Sequence, residues 1–522
     1  MFVPEVPRAG ASSIRGRSQV NFRDPSPGRR QRLESFRRLP ALFTTLSVLV
    51  AAPALAQVAR PSGHTEDAFD LMNVLAQNGL HDIDEETWNA YGQFTWISSL
   101  KLPFHAPYTN ANGSNMSLVP GFEHSFTGSA TLFLGLKLWH GGQAYYVPEV
   151  IAERPLSQLR GIGGSIQNFE LQKGGTEMPQ MYRARAFVQQ TFGLGGGREQ
   201  LTSDPMQLGG TVDRRRLVLR VGNFTVLDFM DKNEFANDPR QQFFNMAFMT
   251  YSAYDFGSDA RGLSFGAVAE IITDDWALRL ARITPPKNPN DLSWELRLYK
   301  YFGDQIEIEH RHKLFGQSGA IRVLGYHNRV NAGRFDDAIA AFESDPAGKN
   351  AASCFGTTRY HYGSTNASAP DLCWARRTNN RVGIGLALEQ HITNDVGVSF
   401  RGMLSDGQSE VYAYTPTDRS LAINLLAKGA SWGRPRDLAG IGAAGNWISS
   451  IHARYLAMGG VDGFVGDGHL KVAPEYVAEA FYSVNVLNPL WISADYQYLV
   501  NPAFNADRGP VHIIGGRAHA EF

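Results

Sequence analysis

Along much of the chain, apolar residues recur at every second position. Leu132, Leu134, Leu136 and Leu138 alternate with Thr131, Phe133, Gly135, Lys137 and Trp139, and Leu217, Leu219 and Val221 alternate with Arg216, Val218 and Arg220. The division returns with Trp294, Leu296 and Leu298 against Glu295, Arg297 and Tyr299, and with Val382, Ile384, Leu386 and Leu388 against Arg381, Gly383, Gly385 and Glu389. A period of two predicts strands with one apolar and one mixed face. Only near the start does the period lengthen: Phe69, Met72, Leu75 and Ala76 predict a short helix between Glu66 and Leu80, stopped at Asn78-Gly79. A soluble sandwich would turn the apolar faces inward, whereas a transmembrane barrel turns them to lipid and lines a wet lumen with the others.

The end of the chain favours the barrel. Ile514, Gly516, Ala518, Ala520 and the terminal Phe522 share one face, opposite Arg517, His519 and Glu521. A terminal Phe on such a strand resembles the signal by which bacterial barrels are recognised by their insertion machinery. Composition agrees: of 522 residues 43% are hydrophobic, 19% charged and 53 are Gly, and no apolar run after residue 60 is long enough to cross hydrocarbon as a helix. The basic stretch Arg29 to Arg38, the apolar run Leu39 to Ala52 and Ala54-Leu55-Ala56 read as a secretory signal peptide over residues 1–56. Met1 to Gly28 is long for an n-region and is consistent with an upstream start that is not used. Loss of 1–56 removes nine basic and three acidic residues and leaves 40 against 47, a net charge of −7, which argues against a nucleic-acid partner. Residues 57–85 then form a short N-terminal segment with one helix. Residues 86–522, at about 26 to 30 per strand with its connections, make an all-β, transmembrane antiparallel β-barrel of about 16 strands and at most 18.

Several runs resemble the carbohydrate-selective porins of the OprB type. They include Trp88-Asn89-Ala90-Tyr91-Gly92-Gln93, Phe104-His105-Ala106-Pro107-Tyr108, and Leu138-Trp139-His140-Gly141-Gly142-Gln143 with Ala144 to Glu149. Val221-Gly222-Asn223-Phe224 leads to Asp228, Asp231, Asn233, Phe235 and Asn237, and Tyr455 to Gly460, Gly466-Asp467-Gly468 and Asp495 to Val511 complete the set. The resemblance spans most of the chain after residue 56 and fades around Cys354. It implies an outer-membrane barrel in the bacterial cell with short periplasmic turns and long external loops. Such a barrel works as a monomer and lets sugars diffuse passively into the periplasm, without a cofactor or an enzymatic step.

A pore for neutral sugars needs acids and bases that bond hydroxyls, and aromatic faces on which rings can lie. Lumen-phase candidates are Arg183, Arg185, Arg216, Arg220, Arg297, Glu295, Glu475, Glu479, Asp495 and Trp139, with Arg279, Arg311, Glu307, Glu309, Phe133 and Tyr299 in the same phase. Against each stands a bland alternative, a solvated or self-braced wall, and for the aromatics a girdle at headgroup depth, which suits Trp276, Trp294 and Tyr498 better. A general or anion-preferring pore stays open, as does a barrel enzyme, although neither G-x-S-x-G nor H-E-x-x-H occurs. Cys354 and Cys373 in an exported chain predict one disulfide within the longest irregular segment, 329–380, rather than a metal site. Gly440-Ile441-Gly442-Ala443-Ala444-Gly445 spells a dinucleotide fingerprint but lacks the strand-turn-helix setting. His310-Arg311-His312 lacks a third ligand and reads as ordinary strand.

Overall fold

The computed structural model describes residues 70–344, 368–414 and 416–522. The expected signal peptide and Cys354 lie outside these; Cys373, the expected partner of Cys354, is disulfide-bonded. The alternating segments form strands β1 Trp88–Lys101, β2 Glu123–Trp139, β3 Gly142–Arg154, β4 Gln180–Gly193, β5 Arg198–Leu201, β6 Gly210–Asp213, β7 Arg216–Phe224, β8 Ser264–Ile272 and β9 Trp276–Ile283. There follow β10 Phe302–Leu314, β11 Gln317–Ala332, β12 Arg377–His391, β13 Val396–Ser405, β14 Arg419–Lys428, β15 Leu438–Trp447, β16 Glu475–Leu487, β17 Leu490–Val500 and β18 Val511–Glu521. All but β5 and β6 make one closed antiparallel barrel of 16 strands, in which β4 pairs with β7 and β1 closes on β18. No helix among the described residues is long and apolar enough to cross a membrane.

The two rims differ. At the lower rim, where Phe522 lies, hairpins turn within a few residues, as at 140–141, 315–316 and 488–489; long connections such as 155–179, 225–263 and 448–474 gather at the upper rim. One lower connection, 194–215, is long and carries the small β5–β6 hairpin. Helix α1, Leu71–Gln77, lies at this rim, capped by Asp70, which accepts from the Asn73 amide at 2.8 Å, and it buries Met72. Glu86, just before β1, accepts from Ser203 Oγ and the Gly209 amide, both at 2.7 Å, and ties the N-terminal segment to the hairpin connection. At the seam, Phe522 exchanges both backbone hydrogen bonds with Gly92. A side chain at Gly92 would collide with the Phe522 ring, its Cβ only 2.3 Å from Cε2, so the terminal ring closes the seam against a bare backbone.

Along β2 the leucines 132, 134, 136 and 138 are exposed on the outside, as are Ile384, Leu386 and Leu388 on β12. The inner face buries polar groups such as Thr131, Glu149, Glu307 and Arg401, the reverse of a soluble sandwich. The fingerprint-like run Gly440–Gly445 is plain strand within β15, and His310 to His312 lie within β10. The segment 294–299 departs from expectation. It forms no strand but belongs to the upper connection 284–301, where Arg297 binds Glu295 at 2.6 Å beside its own turn. Six residues of alternation lacked a partner strand to fix them.

Two bulges correct two further expectations. Between β3 and β4, Val147 faces Arg185 but Pro148 faces Arg183, leaving Ala184 unpaired. Proline has no N–H to offer the ladder, and the extra residue flips the phase. Arg185 therefore points inward while Arg183 points outward with Met181. A second slip, between Lys137 and Trp139, carries the Trp139 indole to the outer lower rim, where its N–H donates to Gln190 at 2.6 Å. Trp139 is a rim residue, as a girdle aromatic would be.

Candidate pore constriction

The connection 225–263 leaves β7 and turns into the barrel. It is aromatic and apolar without a strand or helix period, and Phe235, Phe243, Phe244, Met246, Phe248, Tyr251, Tyr254 and Phe256 are all buried. Its first turn, Val226–Asp228, is held by a capping box between Thr225 and Asp228. From there it is bonded to strands around the circumference. The Asp231 amide donates to Glu307 on β10 at 2.7 Å, and the Phe244 and Asn245 amides donate to Glu479 on β16 at 2.6 and 3.0 Å. The Tyr254 hydroxyl donates to Gln305 at 2.5 Å, and the Asp255 carboxylate accepts from the Tyr412 and Ala413 amides at 3.0 Å.

Two wall arginines carry most of the docking. Arg401 on β13, almost fully buried, donates to the Asp231 carboxylate at 2.8 Å and to the carbonyls of Ala236, Phe248 and Asp231 at 2.9, 2.8 and 3.2 Å. Arg517 on β18 donates to the carbonyls of Pro239, Gln241 and Gln242 at 2.7 to 2.8 Å. An irregular backbone inside a barrel needs every carbonyl satisfied, and a guanidinium with five donors supplies several at once. Burial pushes the Asp231 carboxyl up from its ordinary value despite Arg401 beside it.

Glycines on the inner wall receive the loop's rings. A Cβ at Gly397 would lie 2.0 Å from the Phe235 ring, one at Gly442 2.6 Å from Phe248, and one at Gly385 3.0 Å from Tyr251. We expect Gly397→Val to expel Phe235 and lower stability by about 1–3 kcal/mol, as overpacking does. Heat-modifiability on gels checks this: an unchanged midpoint would show that the ring does not need its socket.

A second connection, 155–179, also turns in and meets the first. The Gly163 amide donates to Glu475 at 2.7 Å, Asn245 Nδ2 donates to the Ser165 carbonyl at 3.1 Å, and Gln167 and Asn168 donate to Ser125 and Thr127 on β2 at 3.1 and 2.9 Å. Where the two loops and the wall meet, Arg240 donates to Glu170 at 2.7 Å, Glu149 at 2.6 Å and Thr131 at 3.1 Å. Tyr182 hydrogen-bonds Glu149, and Lys173 stands 3.4 Å from Glu170. Burial alone would raise the Glu170 carboxyl, but Arg240 and Lys173 outweigh it and hold it below the usual range. Arg185 grips both oxygens of Asp228 at 2.8 and 3.0 Å, and Arg220 lies 4.5 Å over the half-buried ring of Phe229.

Along the wall from β7 to β12 runs a ladder of ion pairs, each 2.7 to 3.0 Å long: Arg220 to Glu270, Glu270 to Arg279, Arg279 to Glu307 and Glu309, Glu309 to Arg322, and Arg322 to Glu389. Of the ten candidates, Arg185, Arg216, Arg220, Glu475, Glu479 and Asp495 face inward, but not as one cluster. Glu475 and Glu479 hold loop backbone, Asp495 accepts from Gln497 at 3.0 Å, and Arg216 binds Glu199 of the lower hairpin at 2.7 Å. Arg183, Trp139, Glu295 and Arg297 are elsewhere. Sequence reasoning missed Arg240, Glu149, Glu170 and Arg401. The aromatic content of 225–263 was the available signal, since an irregular segment so apolar cannot lie in water.

The profile of the carbohydrate-selective porin family, OprB type, matches residues 125–522. Among solved structures, the high-pH form of Pseudomonas putida OprB superposes with a TM-score of 0.59 at 15% identity, covering 84% of this chain and 94% of that one. The low-pH form of the same protein gives 0.40 at 12%, covering 84% and 93%, and the DcaP channel of Acinetobacter baumannii 0.45 at 10%, covering 83% and 97%. No curated protein sequence matches. A closed 16-strand barrel with its alternating faces and a family match over most of its length leave one assignment: the chain belongs to the OprB family of carbohydrate-selective porins, channels of the bacterial outer membrane.

Proposed function

We propose that sugars, from monosaccharides to small oligosaccharides, diffuse passively through the gap left between the two inward loops and the wall of β3, β4, β7 and β8. One observation carries this reading. The arginines and carboxylates there are already paired, as in Arg240 with Glu149 and Glu170, Arg185 with Asp228, and Arg220 with Glu270, and rings lie beside them. A neutral polyol can exchange hydroxyl bonds with the partly exposed members of such pairs, Arg185 and Arg220, whereas a free ion finds no uncompensated charge to hold it. The same pairing disfavours the anion-preferring alternative, which would need unpaired arginines; two of its supposed members, Arg183 and Arg297, are not in the lumen.

Residues 1–56 act as the export signal, 57–85 as a short N-terminal segment, and 86–522 as the barrel, inserted with the help of its terminal Phe522 and surrounded by outer-membrane lipid. Each chain encloses its own lumen and conducts by itself. The test is single-channel recording of refolded protein in planar bilayers, with and without added mono- and oligosaccharides. Saturable block of the current by sugar is the expected result; discrete steps with no block would retain the channel and refute a sugar-binding constriction.

A further inference from the structure

The long lower connection 194–215 does not hang free below the barrel. Its strands β5 and β6 carry the tip, residues 202–209, to the inner wall of β1 to β3. Asn89, Gly135 and Tyr145 stand there in register, and Phe187 on β4 continues the row. Asn89 Nδ2 donates to the Gln207 carbonyl at 2.9 Å, the Leu208 amide donates to the Tyr145 hydroxyl at 3.2 Å, and the Tyr91 and Ser203 hydroxyls are 2.7 Å apart. Gly135 makes room for the tip, since a Cβ there would lie 3.0 Å from Leu208 Cδ2. Glu85 accepts from the Thr211 amide and hydroxyl at 3.0 and 2.7 Å, and together with Glu86 it holds the hairpin from the side of the N-terminal segment.

Two features of the tip concern passage rather than scaffolding. Asp204 and Gln207 exchange backbone hydrogen bonds at 2.9 and 3.0 Å across Pro205-Met206, and Met206 takes a φ of 59°, where glycine is the unstrained choice. The strained position nevertheless keeps a side chain. That side chain is half-buried and packs against the cluster containing Tyr145 and Phe187, against which Phe229 of the constriction loop also packs. The second feature is a run of hydrogen bonds from the tip to the constriction. The Tyr145 hydroxyl that receives Leu208 donates to Gln143 Oε1 at 2.7 Å, Gln189 Nε2 donates to the same oxygen at 3.1 Å, and Arg220 donates to Gln189 Oε1 at 2.7 Å.

We propose that this tip is a second filter of the channel at its periplasmic exit, where a solute that has passed Arg220 leaves between Met206 and the wall of Gln143 and Gln189. The proposal rests on the passage lying along β3, β4 and β7, and not on its preference for sugars. Carboxamides bond hydroxyls both as donors and as acceptors without adding charge, and the thioether offers an apolar face. The filter therefore suits the neutral, hydroxylated solutes that the constriction admits and sorts them by girth. Because the hairpin is bonded both to the wall and to the N-terminal segment, it narrows the exit permanently.

Met206→Cys in planar bilayers tests this, since no free cysteine is present among the described residues to compete for reagent. A bulky neutral thiol reagent should cause a stepwise loss of conductance. An anionic reagent should move the reversal potential in a salt gradient toward cations, and a cationic reagent should move it the other way. Phe315→Cys, on a lower turn where the side chain is almost fully exposed, should label as well and leave the current unchanged. Met206→Gly relieves the turn and removes the side chain, so conductance and the rate of oligosaccharide entry into proteoliposomes should rise while the heat-modification midpoint does not fall. Complete labelling of Met206→Cys without a change in current would overturn the proposal. So would a conducting Met206→Cys that no reagent reaches, or Met206→Gly with wild-type conductance. If these currents respond while sugar fails to block, the sugar-binding constriction is refuted and the exit filter stands.

Discussion

Replacing Arg401 with methionine should release the constriction and cost roughly 3–5 kcal/mol, the range for breaking a buried ion pair by removing one partner. The size follows from what is stranded. Asp231 would keep a carboxylate in a site where burial already pushes its proton affinity up, and the carbonyls of Ala236 and Phe248 would lose their donor inside the barrel. Because Arg401 holds both Ala236 and Phe248, the segment between them loses this tether at both ends and keeps the bonds to Glu479 and Arg517. In a bilayer the expected result is a larger and noisier conductance with weakened sugar block, and on gels a lower temperature of heat modification. If Arg401→Met gave wild-type conductance and the wild-type midpoint, the loop would have to be held by something other than this residue.

Arg240→Gln should have the second-largest effect, and on selectivity rather than size. Arg240 is the one group that touches the wall at Glu149 and Thr131 and the other loop at Glu170. Glutamine cannot neutralise either carboxylate, so two buried acidic groups are then left beside the constriction with Lys173 as the base near them. Reversal potentials in a salt gradient should move toward cations, and the sugar concentration for half-block should rise by about tenfold for each 1.4 kcal/mol of lost contact. A reversal potential that stays at its wild-type value would remove Arg240 from the permeation path. Lys at the same position separates charge from geometry: it restores the sign of the charge but cannot make the fork that reaches Glu149 and Glu170 together.

The barrel itself was legible because its physics is local. A side chain in a strand takes one face or the other by parity alone, so Leu132 to Leu138 declare a strand, and it is Ile514 to Phe522 at the end of the chain that favour lipid over a soluble core. Trp294 to Tyr299 shows the limit of parity: alternation without a partner strand is only composition. Arg183 and Trp139 show another limit, for a single unpaired residue reverses every face beyond it, and Pro148 was the one mark of the first bulge. The constriction was hardly legible at all. Arg240, Glu149 and Glu170 are far apart in sequence and meet only because two loops fold inward, and no period announces such a fold. What the sequence did hold was excess: Phe243, Phe244, Met246, Phe248 and Met249 in a connection that would have no reason to be apolar at a surface.

The glycine sockets on the inner wall have a consequence in time. Gly385, Gly397 and Gly442 lie on β12, β13 and β15, and the groups that grip the same loop's backbone and Arg240 are spread over β3, β10, β13, β16 and β18. The loop leaves the sheet between them, at the end of β7. The full set of anchors comes within its reach only once the sheet has curled and β18 has met β1. During biogenesis, therefore, the wall is sealed before the bore is narrowed, and a half-assembled molecule is an ungated hole rather than a small one. Whatever holds the nascent barrel in the membrane must keep it plugged until its own interior does so.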